Sequence, residues 1–138
     1  MAKVSFVRRR KPRKIVLKPE QKLMIRVFDY IRDIKLFDDL THHPPNEGKR
    51  SWIEGGILKR MGMTKDTPDI YIMYPTAKYH GLIIEAKELN PKTGKYGRAT
   101  PGQIRKIKKL NEVGYYATIG KGYDEIISII ENYLKDEV

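Results

Sequence analysis

Asp69, Glu85 and Lys87 are the residues in this sequence whose types and spacing best suit chemistry. They lie in "PDIYIMYPTAKYHGLIIEAK", Pro68 to Lys87, which reads as two strands joined by a hairpin turn. Side chains alternate along a strand, so Ile83, Glu85 and Lys87 share one face while Leu82, Ile84 and Ala86 share the other. Asp69 opens the partner strand. Both faces of "GLIIEAK" are apolar enough to be partly buried, and ionised groups there are costly without partners. Clustered carboxylates beside a lysine suit metal-assisted hydrolysis of a phosphodiester. Carboxylates take a hard cation such as Mg²⁺ (or Mn²⁺), which keeps several waters and accepts phosphate oxygens. Such an ion polarises the phosphoryl group and lowers the pKa of a bound water. A nearby lysine can orient that water and stabilise the charge that develops.

Two further polar residues fall on the apolar faces of helices. The spacing of Leu23, Met24, Val27, Ile31 and Ile34 predicts a helix that starts at Pro19 and ends near Leu36–Leu40. Glu20 lies on its apolar face, and a first-turn acid also suits the helix dipole, so both readings stand. A second helix is signalled by Thr100, Pro101 and Gln103, a Thr-x-x-Gln capping box with Pro at the first helical position. Its apolar stripe is Ile104, Ile107, Leu110 and Val113, and Gly114 is a natural stop. Helical spacing aligns Gln103 with Ile107 and Leu110, so capping explains it locally and the core face explains it globally.

The remaining elements follow from turn chemistry. Val4–Val7 and Ile15–Leu17 are candidate short strands around an Arg-rich turn. "THHPPNEGKRS" is dense in turn formers, Trp52–Met61 suits a short helix, and "ELNPKTGKYGRATPG" reads as a polar loop. Tyr115–Ile119 is a third strand, and a last helix points Ile126, Ile127, Ile130, Tyr133 and Leu134 to the core. A helix between two strands of one sheet favours a parallel crossover added to the antiparallel hairpin. The expected fold is α/β, a small mixed sheet flanked by helices.

The chain has 138 residues, a net charge of +11 and no cysteine, so disulfides and thiolate metal sites are excluded. No apolar run reaches the roughly 18 residues of a membrane span. A soluble, cytoplasmic protein is expected. The charge is concentrated in an N-terminal arm, residues 1–18, which holds eight cations and no acid; the rest has 20 cations against 17 acids. An arm of this kind attracts a polyanion. Arg8, Arg9, Arg10, Lys11, Arg13 and Lys14 are therefore candidate nucleic-acid contacts, as are Arg105, Lys106, Lys108 and Lys109 beside the apolar stripe of the second helix. Asn46, Lys49 and Arg50 suit phosphate binding and equally suit a solvated turn. His42, His43 and His80 lack the spacing of a zinc site, and a nucleic-acid-facing loop accounts better for the first two. Trp52 and the tyrosines suit core or interface, and no Walker-type loop implies ATP.

"PD" followed by "EAK" is similar to the PD-(D/E)xK nuclease signature. Further segments resemble one branch of it, the VRR-NUC (virus-type replication-repair nuclease) domain. These are Glu20 at its helix start, "PPNEGKRS", "GGILKRMGMTKDTPDIYI", "GLIIEAK" and "TPGQIRKIKKLNEVGYYATIG". The resemblance runs from about residue 20 to 134, which places a nuclease domain at residues 19–138 and leaves residues 1–18 as a separate basic arm. It implies a restriction-endonuclease-like core and a Mg²⁺- or Mn²⁺-dependent endonuclease acting on branched DNA, like a Holliday-junction resolvase. It also implies a homodimer. Carried over by position, Glu20, Asp69 and Glu85 are the metal-associated acids, Lys87 is the catalytic lysine, and Gln103 completes the site. One departure stands out: "KDTPD" lacks the Gly that such proteins often carry shortly before Pro-Asp. A flap or nicking nuclease is the alternative within the family, and a non-catalytic nucleic-acid-binding module is the alternative outside it.

Overall fold

A computed structural model describes residues 10–44 and 51–138. The candidate strand at Val4–Val7 therefore lies outside the described residues. Ile15–Leu17 is not a strand, and Ile15 and Val16 are almost fully exposed because no neighbouring strand pairs with them.

Helix α1 spans Pro19–Asp33 and buries Leu23, Val27, Phe28 and Ile31. It ends earlier than the apolar spacing suggests. Lys35 has φ +58°, and the Leu36 N–H donates to the Ile31 carbonyl at 3.0 Å. A left-handed residue with this back-bond closes the helix. Ile34 consequently lies past the helix end and is exposed.

Strand β1 is Thr41–His42, helix α2 is Trp52–Arg60, strand β2 is Ile70–Ile72 and strand β3 is Leu82–Lys87. Two short strands follow, β4 at Leu89–Asn90 and β5 at Lys95–Tyr96, paired with each other. Helix α3 (Pro101–Glu112), strand β6 (Tyr116–Lys121) and helix α4 (Gly122–Leu134) complete the order. The main sheet runs β1-β2-β3-β6. β2 pairs antiparallel with β1 and β3, while β3 and β6 are parallel, joined by the expected helical crossover. Pairing with Ile72 and Tyr71 makes β1 out of residues that read as a turn. The β4–β5 pair likewise arises inside a segment read as a loop. Among the described residues, no helix is long and apolar enough to cross a membrane.

The sheet has two different faces. Ile70, Ile72, Leu82 and Ile84 share one face and form the core with α1 residues and with Ile126, Ile130 and Tyr133 of α4. Leu134, expected in this core, is exposed at the helix end. The other face carries Ile83, Glu85 and Lys87 of β3 and Ala117 of β6. There Asn111 of α3 bonds the Ala117 backbone twice, donating to its carbonyl at 2.8 Å and accepting from its N–H at 2.9 Å. No residue of α3 is buried, and Ile104 and Val113 of its apolar stripe are exposed; Ile107 and Leu110 are half-buried. Among the described residues, the flanks that carry Ile104 and Val113 are not covered, so the buried stripe is narrower than the sequence implies. Trp52 and Ile53 of α2 are also exposed, which excludes Trp52 from the core.

Gly120 is set by close approach. A Cβ there would stand 2.5 Å from Ile126 Cγ1 and 3.2 Å from Ile84 Cγ2. Gly120→Ala is expected to push α4 off the sheet and destabilise by about 1–3 kcal/mol, as overpacking does. Equilibrium denaturation measures it, and an unchanged midpoint would show that α4 moves freely.

Candidate active site

The site grows from a fault in the β2–β3 ladder. Just before β2, the Asp69 N–H donates to the Ile84 carbonyl at 3.1 Å. The Ala86 N–H is then met by a side chain, donating to Asp69 Oδ2 at 2.8 Å. A carboxylate thus stands in for a strand carbonyl. This fixes the Asp69 side chain beside Glu85, its cross-strand neighbour one step beyond the Ile70–Ile84 pair.

Glu85 is almost fully buried, with 4% of its surface exposed. Its Oε1 accepts from Gln103 Nε2 at 2.7 Å and from Lys87 Nζ at 3.3 Å. Its Oε2 is buried and has no hydrogen-bond partner. A buried lone carboxylate oxygen is costly, so it points to a ligand of opposite charge. Burial, and then the neighbouring Asp69 charge, push the Glu85 carboxyl up to about 7, although Lys87 opposes this. Burial also raises Asp69, against the pull of the Ala86 N–H. Both carboxyls are thus harder to ionise than in water, a penalty that a bound cation would relieve.

Lys87 and Gln103 form one unit. Lys87 Nζ donates to Gln103 Oε1 at 2.8 Å. That oxygen also accepts from the Thr100 N–H at 2.9 Å, while Thr100 Oγ1 accepts from the Gln103 N–H at 3.2 Å. The capping box and the core-facing reading of Gln103 are therefore both correct: one side chain starts α3, orients the lysine and holds Glu85. Asp66, before Pro68, has φ +59° and receives a long contact of 3.4 Å from Thr100 Oγ1. The position that lacks the expected Gly adopts the left-handed backbone that Gly favours. Asp tolerates it better than most residues, and its carboxylate lies at the start of α3.

A cavity of about 130 Å³ is lined by Glu20, Leu23, Met24, Asp69, Glu85, Ala86 and Glu88. Glu20 reaches it from the first turn of α1 and is exposed, so the dipole and the site readings both remain compatible with its placement. Among the described residues, no three acid or histidine side chains stand close enough to enclose an ion by themselves. Asp69 and Glu85 nonetheless fit Mg²⁺ or Mn²⁺, because their oxygens are hard donors and Glu85 Oε2 is free. A small cation here would complete its shell with waters and phosphate oxygens.

Three neighbours of the site are given no role in it by the sequence: Glu88 carries no reading there, Tyr71 reads as core or interface, and His43 as part of a nucleic-acid-facing loop. Glu88 lines the cavity. Tyr71 stacks on His42 with ring centroids 5.3 Å apart, and burial plus the Glu85 and Asp69 charges raise its hydroxyl pKa. His43 bonds the Asp69 carbonyl. Strand parity signals Tyr71, two residues after Asp69; nothing local signals His43.

The basic residues are more dispersed. Arg105, Lys108 and Lys109 project exposed from α3, with Arg105 and Lys109 one turn apart. Lys106 is half-buried, and its Nζ lies 3.4 Å from Thr64 Oγ1. Arg10, Lys11, Arg13 and Lys14 are exposed. Arg8, Arg9, Asn46, Lys49 and Arg50 lie outside the described residues.

A mixed four-stranded sheet with an acid pair and a lysine at one strand end defines a nuclease-type α/β domain. A solved structure of a "VRR_NUC domain protein" is similar to this chain, with 31% identity and a TM-score of 0.70. The match covers 88% of this chain and 92% of that one. The chain belongs to the VRR-NUC family and carries a nuclease domain. No family model matches the chain, and no curated protein does.

Proposed function

We propose that the protein is a Mg²⁺- or Mn²⁺-dependent endodeoxyribonuclease that cuts branched DNA as a homodimer. The carrying observation is the buried, unpartnered Glu85 Oε2 beside Asp69, with Lys87 held over the pair by Gln103. In this reading Asp69 and Glu85 hold the cation, with Glu20 across the cavity as an associated acid. When bound, the ion supplies Lewis acidity and a water of lowered pKa. Lys87 has no acid to itself: its Nζ shares Glu85 Oε1 with Gln103 and keeps a donor for the attacking water or a phosphate oxygen. Gln103 fixes Lys87 by accepting from it, while its own amide group holds Glu85. The exposed cations of α3 and of residues 10–18 supply backbone contacts to DNA.

Branched DNA and dimerisation are what the resemblance to the VRR-NUC family implies. Paired, symmetric incisions need two active sites, hence two copies. The test is one cleavage panel with four-way junction, flap and linear duplex DNA, in Mg²⁺, Mn²⁺ or EDTA. Symmetric junction cutting with either metal, and none in EDTA, is the expected result. Preference for the flap, or single nicks, would replace the resolvase reading by a flap or nicking nuclease. Binding without cutting in both metals would leave only a nucleic-acid-binding module.

A further inference from the structure

His43 lies directly after β1, where the ladder to β2 stops. Thr41 and His42 pair with Ile72 and Tyr71, but the next residue along the chain after His43 is Pro44. Proline has no N–H, so the backbone cannot extend the ladder there. The Asp69 carbonyl is met instead by the His43 ring, with Nδ1 2.5 Å from the oxygen. A carbonyl only accepts, so Nδ1 carries the proton. Two side chains thus replace two ladder bonds at the same residue: the Asp69 carboxylate takes the Ala86 N–H, and His43 takes the Asp69 carbonyl.

We propose that His43 is a positioning residue, whose Nδ1–H fixes the Asp69 peptide and so aims the Asp69 carboxylate at the Ala86 N–H and the cavity. The two peptide units flanking the Asp69 Cα are then both held, since the Asp69 N–H is bonded to the Ile84 carbonyl. Releasing one side lets the peptide rotate and carries the carboxylate with it. His42 supports the same arrangement by stacking on Tyr71, which sets the height of the following residue over Asp69. The consequence for catalysis rests on the nuclease reading; the consequence for Asp69 geometry does not.

The test uses the full chain and compares His43→Ala, His43→Asn and His43→Gln. Asparagine places an amide N–H where Nδ1–H stood, whereas glutamine places it nearer the Nε2 position. Two readouts are taken: amide hydrogen exchange at Ala86, and kcat, KM and DNA affinity for cleavage. His43→Ala is expected to speed Ala86 exchange by about tenfold or more, reflecting a freed local hydrogen bond. It is expected to lower kcat by about tenfold to a hundredfold with DNA affinity unchanged, the mark of misplacement rather than lost binding. His43→Asn restores both, and His43→Gln does not. Ala86 exchange in His43→Ala equal to wild type overturns the proposal, and so does rescue by Gln but not by Asn. Wild-type protein that cuts no DNA overturns the nuclease reading instead, and the exchange data alone then decide the role of His43.

Discussion

Lys87→Met is expected to lower DNA cleavage by at least about a thousandfold, the scale of losing a positioned electrostatic group from a water-poor site. Methionine keeps most of the stem and deletes Nζ, so packing beside Gln103 is largely preserved. Glu85 Oε1 still accepts from Gln103, which prevents the substitution from simply orphaning that oxygen. Asp69→Asn is expected to have an effect of similar size by removing a proposed metal ligand. Asparagine is preferred to alanine because its carbonyl oxygen can still accept from the Ala86 N–H. Both variants are expected to bind junction DNA within about threefold of wild type, since the cations of α3 and the arm are untouched. Gel-shift and cleavage assays on the same preparations check both halves. Cleavage within tenfold of wild type in both variants would sink the assignment of the site.

Glu85→Gln is expected to abolish cleavage and to stabilise the fold, two effects in opposite directions from one atom. In the wild-type protein a nearly buried carboxylate lies beside Asp69 with one oxygen unpartnered. Glutamine keeps an oxygen for the Gln103 and Lys87 bonds and removes the charge. The gain expected is about 1–3 kcal/mol, the scale of relieving an unsatisfied buried group. Its pH dependence follows from the raised Glu85 pKa. The folded protein keeps the proton up to about 7, whereas the unfolded chain loses it near the ordinary value of 4.5. Metal-free wild-type stability from this group is therefore full below 4.5 and is lost as pH rises through 7. Asp69, raised in the same direction, adds to this slope. The advantage of Glu85→Gln should be smallest near pH 4.5 and largest above pH 7. Urea denaturation at pH 5, 6, 7 and 8 without divalent ions measures it. A gain that is constant with pH, or a loss, would show that the charge on Glu85 is compensated by Lys87 alone. Adding Mg²⁺ at pH 8 should raise wild-type stability and leave the variant unchanged, because only the wild type offers the ion that anionic ligand.

The placement of the acid pair follows from the two faces of the sheet. The face of the sheet against α1 and α4 is an ordinary apolar core, and it carries the stability. The opposite face is covered by α3, which buries none of its own residues. Costly groups are thus kept on a face that the fold can spare, next to a helix start whose capping residue also serves the lysine.

Local order determined much of this protein. Period-two alternation in "GLIIEAK" placed Glu85 and Lys87 on one face before any pairing was known, because alternation is a property of the strand alone. The Thr100–Gln103 box fixed the start of α3 for the same reason: its bonds close within four residues. Which acids to propose as catalytic came from the family resemblance, since spacing supplies residue types but not roles. Tertiary structure decided what depends on partners distant in sequence. Thr41–His42 became a strand only because Ile72 and Tyr71 lie beside it, and Pro44 left the Asp69 carbonyl to the His43 ring across 26 residues of chain. Ile104 and Leu134 fit their helical stripes yet are exposed, because periodicity gives a direction around a helix and not how far the neighbouring layer extends. The buried oxygen of Glu85 is of the same kind. Sequence shows a glutamate facing inward; only the packed sheet shows that one of its oxygens has nothing to hold.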